Sequence, residues 1–165
     1  MKWLRGRQLI FGLLADAFTI ALLIVRFHRS PGKEFDCLHD ADRFELFSLY
    51  PSLRSPPGPA KFDGHAILGS TVIQDRQTQA DLSNALIAGI RSSDGTEAAC
   101  FNPRHGIRVT TGEIVTDFVI CFECQQVEVW RGGTCVADLP TTGSPAPVFD
   151  RVLEAAHVQL APKPE

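Results

Sequence analysis

Residues 98–130, AACFNPRHGIRVTTGEIVTDFVICFECQQVEVW, carry the most regular pattern in the chain. Two arms, Ala98–Thr110 and Thr116–Trp130, are rich in β-branched and aromatic residues, which favour strands. A polar segment that contains Gly112 separates the arms, and glycine suits a tight reversal. The pattern predicts a β-hairpin at the centre of an antiparallel sheet.

Further elements are predicted on both sides of this hairpin. Alternating or β-branched residues predict three more strands: Arg43–Tyr50, Gly64–Ile73 and Thr134–Leu139. Leu82 and Leu86 lie at helical spacing and predict a helix at Thr78–Arg91. A second helix is expected to begin with Ser144 as N-cap and Pro145 at its first position.

The order of these elements predicts an α+β fold, with a small antiparallel sheet of about four or five strands and two helices on one face. A chain of 165 residues favours one domain, expected at residues 43–160 and followed by a tail at 161–165.

Charged residues make up 21% of the chain and the net charge is −3, so no basic field exists to attract nucleic acid. Nucleic acid is therefore excluded as an expected partner.

Residues 1–29 are predicted to anchor the chain in a membrane. The run at 9–25 is apolar except at Asp16 and Thr19, and basic side chains flank it: Lys2, Arg5, Arg7, Arg26, His28 and Arg29. As a helix the run would span about 25 Å, slightly less than a hydrocarbon core of about 30 Å, and the flanking arginines can snorkel to close the gap. Asp16 would either face another membrane protein or be tolerated in the lipid, which is the favoured interpretation.

A cleavable signal peptide is the alternative to an anchor. Residues 15–17, Ala-Asp-Ala, fit the small-x-small cleavage pattern, but the apolar run before them is only Leu9–Leu14. We therefore expect a retained single-pass anchor, with residues 30–42 as a tether. The basic residues at the two ends nearly balance, so the charge rule does not set the orientation. A lone N-terminal segment usually directs the export of the domain behind it, which favours an extracytoplasmic domain.

Soft metal ligands cluster in the hairpin at Cys100, His105, Cys121 and Cys124. Thiolates and imidazole suit tetrahedral zinc, so a zinc site is one hypothesis. A single Cys-x-x-Cys is a weak zinc signal, and strand alternation would direct Cys121 and Cys124 to opposite faces unless a bulge intervenes.

Three other interpretations of these cysteines stay open. Cys121 and Cys124 could be a redox dithiol, although reactive pairs usually lie at a helix N-terminus. In an exported domain one structural disulfide could form among Cys100, Cys121 and Cys124. The favoured interpretation is that these residues are small apolar components of the core.

The motif Cys100-Phe-Asn-Pro-Arg-His105, followed by Ile120-Cys-Phe-Glu-Cys124, resembles a pattern in uncharacterised bacterial proteins that are membrane-anchored or exported. The resemblance covers roughly the central third of the domain. It implies a folded unit and no particular activity.

Arg104 and Arg108 could form an anion-binding patch, with pairing to Glu113 or Asp117 as the simpler explanation.

No nucleophile elbow, phosphate-binding loop, metalloprotease motif or dinucleotide fingerprint occurs in the sequence. The sequence thus predicts a membrane-tethered accessory or binding domain without an evident catalytic site. Its alternative is a zinc-binding or thiol-redox protein.

Overall fold

The computed structural model describes residues 35–51 and 60–162. Three helices lie in these ranges: α1 (Asp36–His39), α2 (Arg76–Arg91) and α3 (Ala146–Ala155). The same ranges contain seven strands: β1 (Arg43–Leu49), β2 (Lys61–Phe62), β3 (His65–Val72), β4 (His105–Thr111), β5 (Ile114–Cys121), β6 (Gln126–Arg131) and β7 (Thr134–Pro140).

All strands belong to one antiparallel sheet in the order β2-β3-β1-β4-β5-β6-β7, which curves into a half-barrel. The predicted α+β class and antiparallel sheet are confirmed. The sheet has more strands than the four or five expected, partly because the predicted arm Thr116–Trp130 is two strands, β5 and β6, separated by a turn at residues 122–125. The two-residue strand β2 and the one-turn helix α1 were too short to be detected by periodicity.

Both predicted helices form, with different starts. Helix α2 begins at Arg76 because Asp75 is its N-cap, and the Thr78 N–H donates to Asp75 Oδ2 at 2.8 Å. Helix α3 has Pro145 in the N-cap position. The Ser144 hydroxyl, which was expected to cap α3, instead shares a hydrogen bond with the hydroxyl of Thr142.

The main core lies between the helices and one face of the sheet. Strands contribute buried side chains that alternate along each strand: Phe44, Leu46, Ile107, Val109, Phe118, Ile120, Val127 and Val129. Leu82 and Leu86 of α2 and Phe149 and Leu153 of α3 pack against them and are fully buried. This apolar contact holds both long helices on the same side of the sheet and stabilises the domain.

The opposite face of the sheet, which we call the second face, carries a smaller apolar cluster. Phe47, Leu49, Phe62 and Val119 are buried there, and the rings of Phe47 and Phe62 lie 4.5 Å apart between centroids. Phe62 reaches this position because β2 folds back over β3. The hairpin of β2 and β3 therefore shields part of a face that would otherwise meet solvent.

The folded unit begins before the first strand. Phe35, Leu38 and Ala41 are at most 5% exposed and belong to the main core, so the described part of the predicted tether, residues 35–42, is packed into the domain. The predicted anchor at residues 9–25 lies outside the described residues. Within residues 35–51 and 60–162, no helix has the length and apolar character needed to cross a membrane.

Candidate functional site

The turn at residues 122–125 brings Cys121 and Cys124 together in a disulfide. Strand β5 ends at Cys121, and the chain then reverses over four residues, with Gln125 in the left-handed region at φ 59°. The alternation of a continuous strand therefore does not extend to Cys124. In a continuous strand the two sulfur atoms would point to opposite faces of the sheet. The turn interrupts the strand and lets the two sulfur atoms meet.

Backbone groups surround both sulfur atoms. The Cys124 N–H donates to Cys121 Sγ at 3.1 Å, and the Asn102 N–H donates to Cys124 Sγ at 3.2 Å. The Asn102 carbonyl oxygen lies 3.3 Å from Cys121 Sγ, where it would accept a hydrogen bond from a Cys121 thiol. The site thus provides partners for the reduced cysteines as well as for the disulfide.

His105 lies next to this turn, at the start of β4. Its ring packs against Phe122 and Phe149, with centroid separations of 5.3 and 5.6 Å. His105 Nε2 is 2.8 Å from Asp150 Oδ1 on α3, and this hydrogen bond lowers the pKa of Asp150. No described residue offers a hydrogen-bond partner to the buried His105 Nδ1. The histidine therefore joins β4 to α3.

A cavity of about 190 Å³ opens beside this histidine. Its apolar wall comes from Phe122, Ala146 and the C-terminal segment 160–162, and its polar wall includes Arg104 and Asp150. Arg104 forms an ion pair with Glu123, and its Nε donates to the Pro162 carbonyl at 2.9 Å. The predicted tail therefore contributes its first two residues to the wall of this cavity.

The four predicted zinc ligands have separate surroundings. Cys121 and Cys124 are bonded to each other, Cys100 is exposed, and His105 is paired with Asp150. In the part of the chain that the structure describes, no group of three or more His, Cys, Asp or Glu side chains could hold a metal ion. A zinc site at Cys100, His105, Cys121 and Cys124 stays a prediction.

The two arginines of the predicted anion patch are each bound to a carboxylate. Arg104 pairs with Glu123 at the cavity. Arg108 makes two hydrogen bonds to Asp117, Nε to Oδ1 at 2.7 Å and Nη2 to Oδ2 at 2.6 Å, and these bonds raise the pKa of Arg108. Both guanidinium groups are thus already engaged by carboxylates.

Asp63 forms a second electrostatic site on the second face, beside Arg108 and Asp117. Burial and the neighbouring carboxylate of Asp117 raise the pKa of Asp63 to about 6. Asp63 Oδ2 is buried without a hydrogen-bond partner among the described residues. A proton on that oxygen would give it a hydrogen to donate to Asp117.

Sequence reasoning missed Asp150, Asn102 and Asp63 as members of these sites. Asp150 is 45 residues from His105 in the chain, and such long-range pairs leave no local pattern. Asn102 acts through its backbone, which the residue type does not reveal. The Asp63-Gly64 pair is a turn signal that was available.

Comparisons with protein-family models, curated proteins and solved structures give no match for this chain.

Proposed function

We propose that this protein is a membrane-tethered accessory domain that binds a partner through the cavity beside His105. The observation that carries the binding role is the cavity itself, where an apolar wall meets the charged groups of Arg104 and Asp150. Its volume of about 190 Å³ is smaller than the roughly 300–1,000 Å³ of typical small-molecule sites. It suits a single side chain or a small group of a partner.

The surroundings of His105 favour binding over catalysis at this cavity. A general base needs a ring nitrogen within hydrogen-bond reach of its substrate. His105 Nε2 contacts Asp150, and Nδ1 is buried. In this arrangement the imidazole holds the cavity wall in place.

The membrane attachment rests on the apolar run at residues 9–25 with its basic flanks. The Cys121–Cys124 disulfide supports an extracytoplasmic position, because disulfides persist in oxidising compartments and are rare in the cytosol. The partner that we propose for residues 9–25 is the lipid bilayer, which tolerates Asp16, and another membrane protein that faces Asp16 is the alternative.

Binding to the cavity is tested with single-side-chain probes. We expect at least one member of a panel of N-acetyl amino-acid amides to shift the NMR signals of Phe122 in the full-length chain. Ala146→Trp should abolish the shifts because it fills the cavity, whereas Ala155→Trp, on the exposed side of the same helix, should retain them. Equal binding by wild type and Ala146→Trp, or no binding by any probe, would contradict the proposal.

Membrane attachment is tested by alkaline carbonate extraction of membranes that contain the full-length chain. The wild type should stay in the pellet and Leu13→Arg should be released, while Gln8→Arg, outside the apolar run, should stay. In intact cells stripped of any outer barrier, an impermeant maleimide should label the exposed thiols of Cys100 and Cys135. Labelling only after lysis would place the domain in the cytoplasm and refute its export.

A second candidate function is thiol–disulfide exchange. It is favoured by the Cys121–Cys124 disulfide together with the exposed thiol of Cys100 in the neighbouring loop. Incubation with a glutathione redox buffer tests it, because an exchange protein should interconvert its reduced and oxidised forms there. The zinc alternative is tested by metal analysis of the reduced protein, and a stoichiometric zinc content would support it over exchange.

A further inference from the structure

Burial shields the Cys121–Cys124 disulfide from direct attack by a thiol of another molecule. Cys121 is 0% exposed and Cys124 is 2% exposed. Exchange requires a thiolate to reach one of the two sulfur atoms, so its rate depends on access. An attacking thiol that belongs to the chain itself therefore has the advantage at this site.

Cys100 lies in the segment that passes over Cys124. The Ala98 N–H donates to the Cys124 carbonyl at 2.9 Å, and the Asn102 N–H donates to Cys124 Sγ at 3.2 Å. Cys100 is midway between these two residues, so its Cα lies within about 7.6 Å of each of their Cα atoms. The backbone on both sides of Cys100 is thus hydrogen-bonded to Cys124, and the Cys100 thiol is open to solvent.

Cys121 has the surroundings of a leaving group. The Cys124 N–H, 3.1 Å from Cys121 Sγ, would stabilise a thiolate there, since hydrogen bonds to a charged group favour its charged form. Once that sulfur takes up a proton, the Asn102 carbonyl at 3.3 Å can accept the hydrogen bond. Cys124 is the sulfur open to attack by Cys100, because the segment that carries Cys100 is hydrogen-bonded to Cys124, and the Cys124 N–H then stabilises the departing Cys121 thiolate.

We propose that Cys100 is an exchange cysteine that carries the oxidising equivalents of the buried disulfide to the surface, for transfer to a dithiol of another protein. The Cys100 thiolate attacks Cys124 Sγ. The Cys100–Cys124 bond forms, the Cys121–Cys124 bond breaks, and the electron pair leaves with Cys121. Water takes the proton lost by Cys100 and supplies one to Cys121, so this step involves no net oxidation.

Transfer to the partner follows by two further exchanges. A partner thiolate attacks Cys100 Sγ, and Cys124 leaves as a thiolate. The partner's second thiolate then attacks the partner sulfur of this mixed disulfide and releases Cys100. The partner dithiol becomes a disulfide and loses two electrons, which the chain holds in the thiols of Cys121 and Cys124. This inference rests on the exchange function and is independent of the cavity.

The rate of disulfide reduction tests the role of Cys100. The full-length chain is incubated with reduced glutathione and quenched with acid, and the remaining Cys121–Cys124 bond is measured by mass spectrometry. Cys100→Ser should slow the reduction about tenfold, because an intramolecular attack is replaced by a hindered bimolecular one. Cys135→Ser, a matched change at another exposed thiol, should leave the rate unchanged.

Trapping the intermediate provides a second measurement. Cys121→Ser treated with oxidised glutathione should form a Cys100–Cys124 disulfide, whereas Cys124→Ser should form little Cys100–Cys121 disulfide. If the core substitutions prevent folding, the comparison of wild type with Cys100→Ser still decides, because Cys100 is exposed. Equal reduction rates in these two proteins would overturn the role of Cys100 and leave the exchange function standing. A wild-type disulfide that never exchanges with glutathione would overturn both.

Discussion

Phe62 occupies the space above Gly106. A β-carbon at position 106 would lie 2.8 Å from Phe62 Cε1, a separation that real β-carbons do not show. The close approach lets the Phe62 ring sit under the Arg108 guanidinium, whose central carbon is 5.1 Å from the ring centroid. Gly106 is thus the position that allows the β2–β3 hairpin to cover the second face.

Gly106→Ala should destabilise the domain by about 1–3 kcal/mol, because the new methyl group displaces a fully buried ring. Chemical denaturation followed by circular dichroism measures the free energy of unfolding. Gly143→Ala is the control, since its nearest contact, the Phe122 carbonyl oxygen, is at an ordinary 3.5 Å. Equal unfolding free energies for the two variants would contradict the packing described for Phe62.

Phe149→Ala should destabilise the domain by about 3–5 kcal/mol, as expected for a buried aromatic side chain. Phe149 is 0% exposed and its ring contacts both Phe122 and His105. The same denaturation assay measures the effect, and Val148→Ala, a partly buried neighbour on α3, should cost clearly less. A loss below that of Val148→Ala would contradict the burial of Phe149 between α3 and the sheet.

Asp63→Asn should remove a pH dependence of stability. The folded pKa of Asp63 is raised to about 6, so the folded state holds this proton more tightly than the unfolded state. The resulting stability is fully present below the unfolded pKa, near 4, and is lost as the pH rises through about 6.

Above pH 6 the uncharged amide of Asp63→Asn also avoids the repulsion by Asp117, so the variant should unfold at a higher temperature than the wild type there. Because Asp63 is partly exposed, the gain should be below about 1 kcal/mol. Thermal unfolding across this pH range measures it. A difference in unfolding temperature between the two proteins that stays constant through this interval would contradict the assignment.

Asp150→Asn should destabilise the domain by weakening the hydrogen bond between α3 and β4. The pH dependence of this effect is opposite to that of Asp63. The hydrogen bond from His105 lowers the folded pKa of Asp150. The stability that Asp150 contributes to the fold is therefore present above its unfolded pKa and is lost as the pH falls through its folded pKa. The Asp150 side chain is 43% exposed, so solvent screening should keep the loss below about 1 kcal/mol at neutral pH, and the loss should disappear in acid. Glu154→Gln, an exposed change on the same helix, should have little effect at either pH.

The secondary-structure elements that the sequence predicted are those with a local pattern of residue types. Helix α2 and strands β1, β3 and β7 were expected within a few residues of their observed positions, because their residue types and apolar spacing match the period of a helix or strand. The turn at residues 122–125 contains neither glycine nor proline, and its neighbours favour strands. Its positive φ at Gln125 had no signal in the residue type.

The candidate site was predicted in its cysteines, His105 and Arg104. The contacts around these residues are tertiary contacts. Asp150 comes from the last helix, Pro162 comes from the C-terminal segment, and Asn102 contributes backbone atoms. Contacts between such distant positions are fixed by how the helices pack on the sheet. They do not follow from residue spacing within the hairpin.

The most direct measurement is the redox state of the cysteines in the full-length protein taken from cell membranes. Acid quenching, followed by alkylation with two distinguishable reagents before and after reduction, assigns each thiol. We predict that Cys121 and Cys124 are bonded to each other in the membrane fraction and that Cys100 is alkylated at once. Reduced Cys121 and Cys124 in freshly quenched membranes would contradict an exported domain with a disulfide at its functional site.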